Sequence, residues 1–231
     1  MAIASNLADI RARIDAACQR CQRDPDTVRL VAVSKTHPAA SVDAAAAAGQ
    51  KIFGENYVQE FAAKAEEVSA PVQWHFIGSL QSNKVKYLAG KVAMIHSVDR
   101  LSLAEELDRQ WGKLGQTLEI LIEVNLGDEE SKGGASASET IELVRHIATL
   151  PHLRICGLMA LPPYLEDPEA VRPYFRRLRE LSEQIADCNI KGVVMRELSM
   201  GMSHDFEVAI EEGATLVRVG TAIFGVRGGK H

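Results

Sequence analysis

Cysteine is scarce in this chain: four among 231 residues, scattered too widely to staple a fold. Cys18 and Cys21 form a C-x-x-C, but no second pair stands at zinc-ligand spacing and the motif falls in a helical pattern. Neither a redox nor a metal site is expected from it, and a reducing, cytoplasmic setting follows. An excess of positive charge is missing too. Lysine and arginine number 26 against 31 aspartates and glutamates, a net charge of −5, which argues against a general binder of nucleic acid or of an anionic membrane. No apolar stretch is long enough to span a bilayer. Residues 1–10 hold no basic segment followed by an apolar run, so no signal peptide is expected. Linkers, low-complexity segments and repeats of fixed period are also absent. With 25% charged and 46% hydrophobic residues, the chain reads as one soluble globular domain over 1–231.

What is present is a series of short apolar runs. Residues 30–35, Leu-Val-Ala-Val-Ser-Lys, have the character of a buried parallel strand, and Pro38 just beyond suits the start of a helix. Similar runs occur at 51–54, 72–77, 92–98, 118–125, 153–161, 197–200 and 216–220. Helical patterns fill the intervals: 39–48, a stretch ending near 68, a short piece after Lys84, 99–114 with Asp99 as its cap, 136–150, 168–186 and 203–212. A polar loop is expected at 127–134, and an extra helix over 3–22 precedes everything. Eight strands alternating with helices predict an α/β fold, a single (β/α)8 TIM barrel. The rival, a doubly wound open sheet, would want a glycine-rich turn after its first strand, and none is there.

In such a barrel the chemistry belongs at the carboxyl ends of the strands. Those positions are Lys35, Asn56, His75 with Gly78, Asn125, Met159, Ser199 and Gly220-Thr221. Period-2 geometry puts Val31, Val33 and Lys35 on one face. If that face is the barrel interior, the Lys35 amine stands in a half-desolvated mouth, where burial lowers its pKa as a Schiff-base lysine requires. The plainer alternative is a lysine marking where a strand enters water. After the seventh and eighth strands, Ser199, Ser203, Gly220 and Thr221 offer hydroxyls and close backbone approach to a phosphate, with Asp205 suited to the first turn of the following helix. Arg218 faces the same side as Gly220 and needs an acceptor: an unprotonated ring nitrogen, or a carboxylate such as Glu197. Lysine, phosphate site and ring-nitrogen partner together match pyridoxal phosphate (PLP).

The residues resemble the pyridoxal phosphate homeostasis proteins. The resemblance is carried by Val31-Ala32-Val33-Ser34-Lys35, Phe53-Gly54-Glu55-Asn56-Tyr57, the stretch 74–84, Glu123-Val124-Asn125, Gly157-Leu158-Met159, the stretch 198–203 and the stretch 217–225, and so covers nearly the whole chain. His37 and Ala214 depart from the residues expected there, a second lysine and a serine. The resemblance implies an alanine-racemase-like barrel without that enzyme's carboxyl-terminal β domain. It makes Lys35 the Schiff-base lysine, with Asn56, Met159, Ser199, Ser203, Arg218, Gly220 and Thr221 in the cofactor-binding set. Lys132 resembles a lysine common to the family; it reads either as a solvated loop charge or as a second, transient site for the aldehyde. The implied role is to hold the cofactor and deliver it to PLP-dependent apoenzymes, as a monomer, with no established catalytic residue. A PLP-dependent amino-acid racemase is the alternative, and an aldolase-type barrel using Lys35 as a base is a third. A racemase needs acid/base groups on both faces of the Cα plane, and of Tyr57, Tyr87, Tyr164 and Tyr174 only Tyr57 falls near the mouth. Several charged or polar residues carry plainer readings. His75 is expected to be a hydrogen-bonded barrel histidine. Arg172, Arg176, Arg177 and Arg179 read as the wet face of a helix, Glu105 and Glu106 as surface, and Gln81, Asn83 and Lys84 as either a helix cap or a small-ligand contact.

Overall fold

A computed structural model describes residues 2–127 and 133–225. In chain order the elements are α1 (Ala2–Arg20), β1 (Arg29–Val33), α2 (Ala39–Ala47), β2 (Ile52–Glu55), α3 (Val58–Glu67), β3 (Gln73–Phe76), β4 (Met94–Val98), α4 (Leu101–Gly112), β5 (Leu118–Asn125), β6 (Ala135–Ser136), α5 (Ala137–Ile147), β7 (Leu153–Ala160), α6 (Arg172–Asp187), β8 (Val193–Ser199), α7 (Phe206–Glu211), β9 (Leu216–Val219) and α8 (Thr221–Phe224). Short 3-10 turns cover Pro25–Thr27, Ser82–Tyr87 and Pro168–Val171. Every strand pair is parallel. The ladder runs β4-β3-β2-β1-β9-β8-β7-β5 and closes through β4–β5. This is the expected eight-stranded barrel, because a parallel sheet with a helix after almost every strand buries both faces.

Alternation along the strands fills the two sides of the wall. Val31, Ile52, Met94, Leu121, Cys156, Met159 and Leu216 pack together inside the barrel, while Ala32, Phe53, Phe76, Ile95, Ile120 and Val217 join the larger core under the helices. The stripe Leu7, Ile10, Ile14 and Ala17 buries α1 against that outer core, as its spacing predicts. Cys18 and Cys21 are free thiols at its carboxyl end.

Several boundaries differ from the expectation, each for a local reason. β8 begins at Val193, well before residue 197, because its first half alternates between half-buried and exposed at the barrel's foot and carries no continuous apolar run. β6 is two residues paired with the end of β5, too short for any pattern. Asp99 does not cap α4: Arg100 takes the cap position, and the Asp99 carboxylate lies 2.6 Å from its guanidinium. The arginines of α6 are more than a wet face. Arg172, Arg176 and Arg179 converge on the buried Glu212 at 3.2, 3.0 and 3.4 Å and tie α6 to the end of α7, while Arg177 donates to the Leu126 carbonyl. Among the described residues no helix is long and apolar enough to cross a membrane.

Candidate cofactor-binding site

β1 ends at Val33, and the next two residues diverge. Ser34 turns outward, fully buried against α3, while Lys35 turns to the mouth and is half-buried. With Val33, Thr36, His37, Gly220, Thr221 and Gly225, Lys35 lines a small cavity of about 40 Å³. Parallel pairing of β1 with β9 (Val31 opposite Arg218) makes this meeting, which is why residues so far apart in sequence share a wall. Gly220 passes so close to β1 that a Cβ there would stand 3.1 Å from the Val33 carbonyl oxygen. The β8 loop reaches the same place, since Thr221 Oγ1 donates to Ser203 Oγ at 3.2 Å. Gly201 makes that loop possible. Its φ is +89°, and a Cβ would lie 2.6 Å from that of Ala209. Asp205 accepts from the Met202 N–H at 2.6 Å, so its carboxylate closes the loop; α7 begins only at Phe206, later than the expected start at 203.

Asn56 follows β2 directly and is half-buried, yet its Oδ1 is buried with no hydrogen-bond partner among the described residues. Gly78 packs against it so closely that any side chain would collide with the Asn56 backbone.

Inside the mouth a hydrogen-bonded chain crosses the barrel. Arg218 donates to Ser199 Oγ at 2.6 Å and to the Ala160 carbonyl at 2.9 Å. Ser199 Oγ lies 2.8 Å from His96 Nδ1, and His96 Nε2 lies 2.9 Å from His75 Nδ1. The donors can be assigned from one end. Guanidinium only donates, so the Ser199 hydroxyl accepts from it, and the order that also uses the hydroxyl's own proton sends it to His96 Nδ1. His96 then carries its proton on Nε2 and donates to His75 Nδ1. Both imidazoles are neutral. Burial, reinforced by the Arg29 charge, holds His75 down at about 3, and burial with neighbouring cations holds His96 well below the usual histidine range. Burial also lowers Arg218 to about 10, against the pull of Glu123 and Asp205, and leaves it charged at neutral pH.

The chain of bonds alters two expectations. Ser199 is fully buried and its hydroxyl bonds Arg218 and His96, whereas Ser203 bonds Thr221. Glu197 does not serve Arg218; it pairs with Arg29 at 2.6 Å and Arg196 at 3.1 Å, at the foot of the barrel. His75 is the expected hydrogen-bonded barrel histidine. Met159 is fully buried in the interior apolar cluster, opposite Ser199 and Glu123 in the ladders. Gln81 makes no side-chain cap to the turn that follows it. Lys132 lies outside the described residues.

Two residues of the mouth are not among the site residues expected from the sequence, although Glu123 falls in one of the stretches that carry the resemblance. His96 stands two positions after the inward Met94, and Glu123 two after the inward Leu121, so period-2 phase alone could have found both. Glu123 is buried, and burial together with the nearby Asp99 pushes its carboxyl up to about 7, against the Arg218 charge. A larger groove, about 480 Å³, lies at the opposite end around Arg11, Asp15, Arg29 and Lys51, and holds none of these residues.

The family described as alanine racemase, N-terminal domain, matches residues 5–228. A pyridoxal phosphate homeostasis protein of Aquifex aeolicus is 49% identical over 222 residues, covering 96% of each chain, and one of Escherichia coli is 44% identical over 229 residues, covering 97% of each. The solved structure of PipY from Synechococcus elongatus with PLP bound superposes with a TM-score of 0.85 at 37% identity, covering 96% of this chain and all of that one. An alanine racemase of Clostridium difficile, at 11% identity and a TM-score of 0.74, covers 99% of this chain but 58% of its own and speaks to the fold alone. A match this long at such identity leaves one assignment: the chain belongs to the pyridoxal phosphate homeostasis protein family, built on the barrel of alanine racemase.

Proposed function

We propose that this chain binds PLP at the barrel mouth, holds it covalently on Lys35 and passes it to apoenzymes that need it. The observation that carries the reading is the cavity in which Lys35 meets Gly220 and Thr221, with Ser203 bonded alongside. The orphaned Asn56 Oδ1 fits the same reading, since a buried acceptor without a donor calls for a polar ligand. When bound, the cofactor supplies an aldehyde that condenses with a primary amine, losing water as the C=N bond forms. Lys35 is the amine. Ser203 and Thr221 donate to the phosphate, and the Gly220 turn lets the backbone approach it. Arg218 is assigned to the ring nitrogen; as a pure donor it keeps that nitrogen unprotonated and the ring a weak electron sink, which favours storage over turnover. Ser199, bonded to both Arg218 and His96, is assigned to fixing the guanidinium rather than to the phosphate.

The test mixes loaded protein with the apo form of a PLP-dependent enzyme. Activity should return faster than cofactor leaking into solution would allow. Rapid formation of a D-amino acid by the loaded protein alone would instead favour a racemase, and Tyr57, exposed beside Asn56, would be the first residue to replace.

The phosphate assignment has its own check. Hydrogen bonds to a charged group contribute about 1.5–3 kcal/mol each. Replacing Ser203 and Thr221 together with alanine should therefore weaken PLP binding by about a hundredfold or more. Pyridoxal, which lacks the phosphate, should bind both proteins alike by absorbance titration. Equal losses for the two aldehydes would place the phosphate elsewhere.

A further inference from the structure

The turn that presents Lys35 is held in an unfavourable conformation. Thr36 has φ +66°, a left-handed backbone that a β-branched residue seldom adopts. The His37 N–H closes the turn on the Ser34 carbonyl at 3.1 Å. Behind it, on the outer side of the barrel wall, lies a charged cluster from β2 and α3. Lys64 Nζ donates to the Ser34 carbonyl at 2.7 Å, to Glu55 Oε1 at 2.6 Å and to Glu60 Oε1 at 2.8 Å. Ser34 Oγ also donates to Glu55 Oε1, at 2.6 Å, and Glu60 Oε1 accepts the backbone N–H of Thr36. Lys64 is 5% exposed and Glu55 not at all.

Burying these charges is a poor route to stability, because apolar side chains of similar volume generally do as well. What this cluster does that apolar packing cannot is grip the backbone on both sides of Lys35: Lys64 holds the carbonyl of the residue before, and Glu60 the N–H of the residue after. Lys64 is no second amine for the aldehyde, because an ammonium has three donors and here each has an acceptor.

We propose that Glu60 and Lys64 are positioning residues, which lock the Ser34–Thr36 turn in the left-handed form that aims the Lys35 amine into the cavity shared with Gly220 and Thr221. The proposal rests on the PLP reading above. It separates two ligands that share ring and phosphate. PLP needs the amine in place. Pyridoxine 5′-phosphate has an alcohol where PLP has the aldehyde, cannot condense, and is indifferent to where Lys35 points.

The experiment measures the affinity of the full chain for both ligands, with borohydride trapping of PLP on residue 35. Losing the support of a left-handed threonine should weaken PLP binding of Glu60→Ala by about tenfold. Pyridoxine 5′-phosphate binding should stay within about twofold. Glycine takes positive φ without strain, so adding Thr36→Gly to Glu60→Ala should restore most of the lost PLP affinity. Should Glu60→Ala fail to fold, Glu60→Asp keeps the charge beside Lys64 while drawing the carboxylate back from Thr36, and should show the same selective loss. Unchanged PLP binding, equal loss of both ligands, or no rescue by Thr36→Gly would each overturn the proposal. If the parent protein itself binds no PLP or traps none on Lys35, the PLP reading has failed instead, and that result is read without any variant.

Discussion

Lys35→Ala should abolish the pyridoxyl group that borohydride fixes on the peptide carrying residue 35, and with it the visible absorbance of the loaded protein. Noncovalent PLP binding should persist at lower affinity, because the proposed phosphate donors Ser203 and Thr221 follow β8 and β9, outside the element that changes. That residual binding should remain sensitive to Ser203→Ala with Thr221→Ala. Peptide mass spectrometry also separates the other lysines. Lys64 should stay unlabelled in parent and variant alike, given its three bonded N–H groups. A pyridoxyl group on Lys132 in the Lys35→Ala protein is what the second-site reading of that residue requires. Finding no adduct on residue 35 in the parent, loaded with excess PLP, would remove the central assignment.

What could be read in the sequence was whatever depends on near neighbours. Apolar runs located all eight barrel strands, because a strand buried on both faces has no choice but to be apolar, and Lys35 stood out as the charge that ends such a run. Contacts made by topology were not legible. Nothing local says that Arg172, Arg176 and Arg179 answer Glu212, or that Ser199 is held between Arg218 and His96. Nor does a threonine announce a positive φ. The Thr36 N–H is met by Glu60 of α3, beyond the next strand, so the strained turn and its partner come together only once β2 and α3 have packed against β1.

The second large effect expected is acid lability arising from the buried imidazoles. An unfolded histidine takes up a proton near pH 6.5, whereas folded His75 does so only at about 3. Its folded pKa is depressed, so the unfolded chain binds more protons throughout this window. Stability is therefore whole above pH 6.5 and falls as pH drops toward 3. For His75 the loss is on the order of 5 kcal/mol, comparable to the whole stability of a small protein. His96, held low by burial and by its neighbour, acts in the same direction. Glu123 opposes them. Its carboxyl is raised to about 7, so the folded protein holds that proton more tightly and gains stability as pH falls from 7 toward 4.5, by roughly 3 kcal/mol. Urea melts of the apo protein should thus show a shallow dependence near neutrality, where the terms offset, and a steep fall below about pH 5, where Glu123 has nothing more to give. His75→Asn tests the cause. Asparagine can still accept from His96 Nε2 but cannot titrate, so the variant should be less stable than the parent at pH 7 yet lose stability more slowly in acid, by up to about 1.4 kcal/mol per pH unit. Glu123→Gln should do the reverse, steepening the decline between pH 7 and 5. Identical slopes in His75→Asn and parent would mean that His75 already carries its proton in the fold, and the donor order from Arg218 through Ser199 and His96 would have to be redrawn.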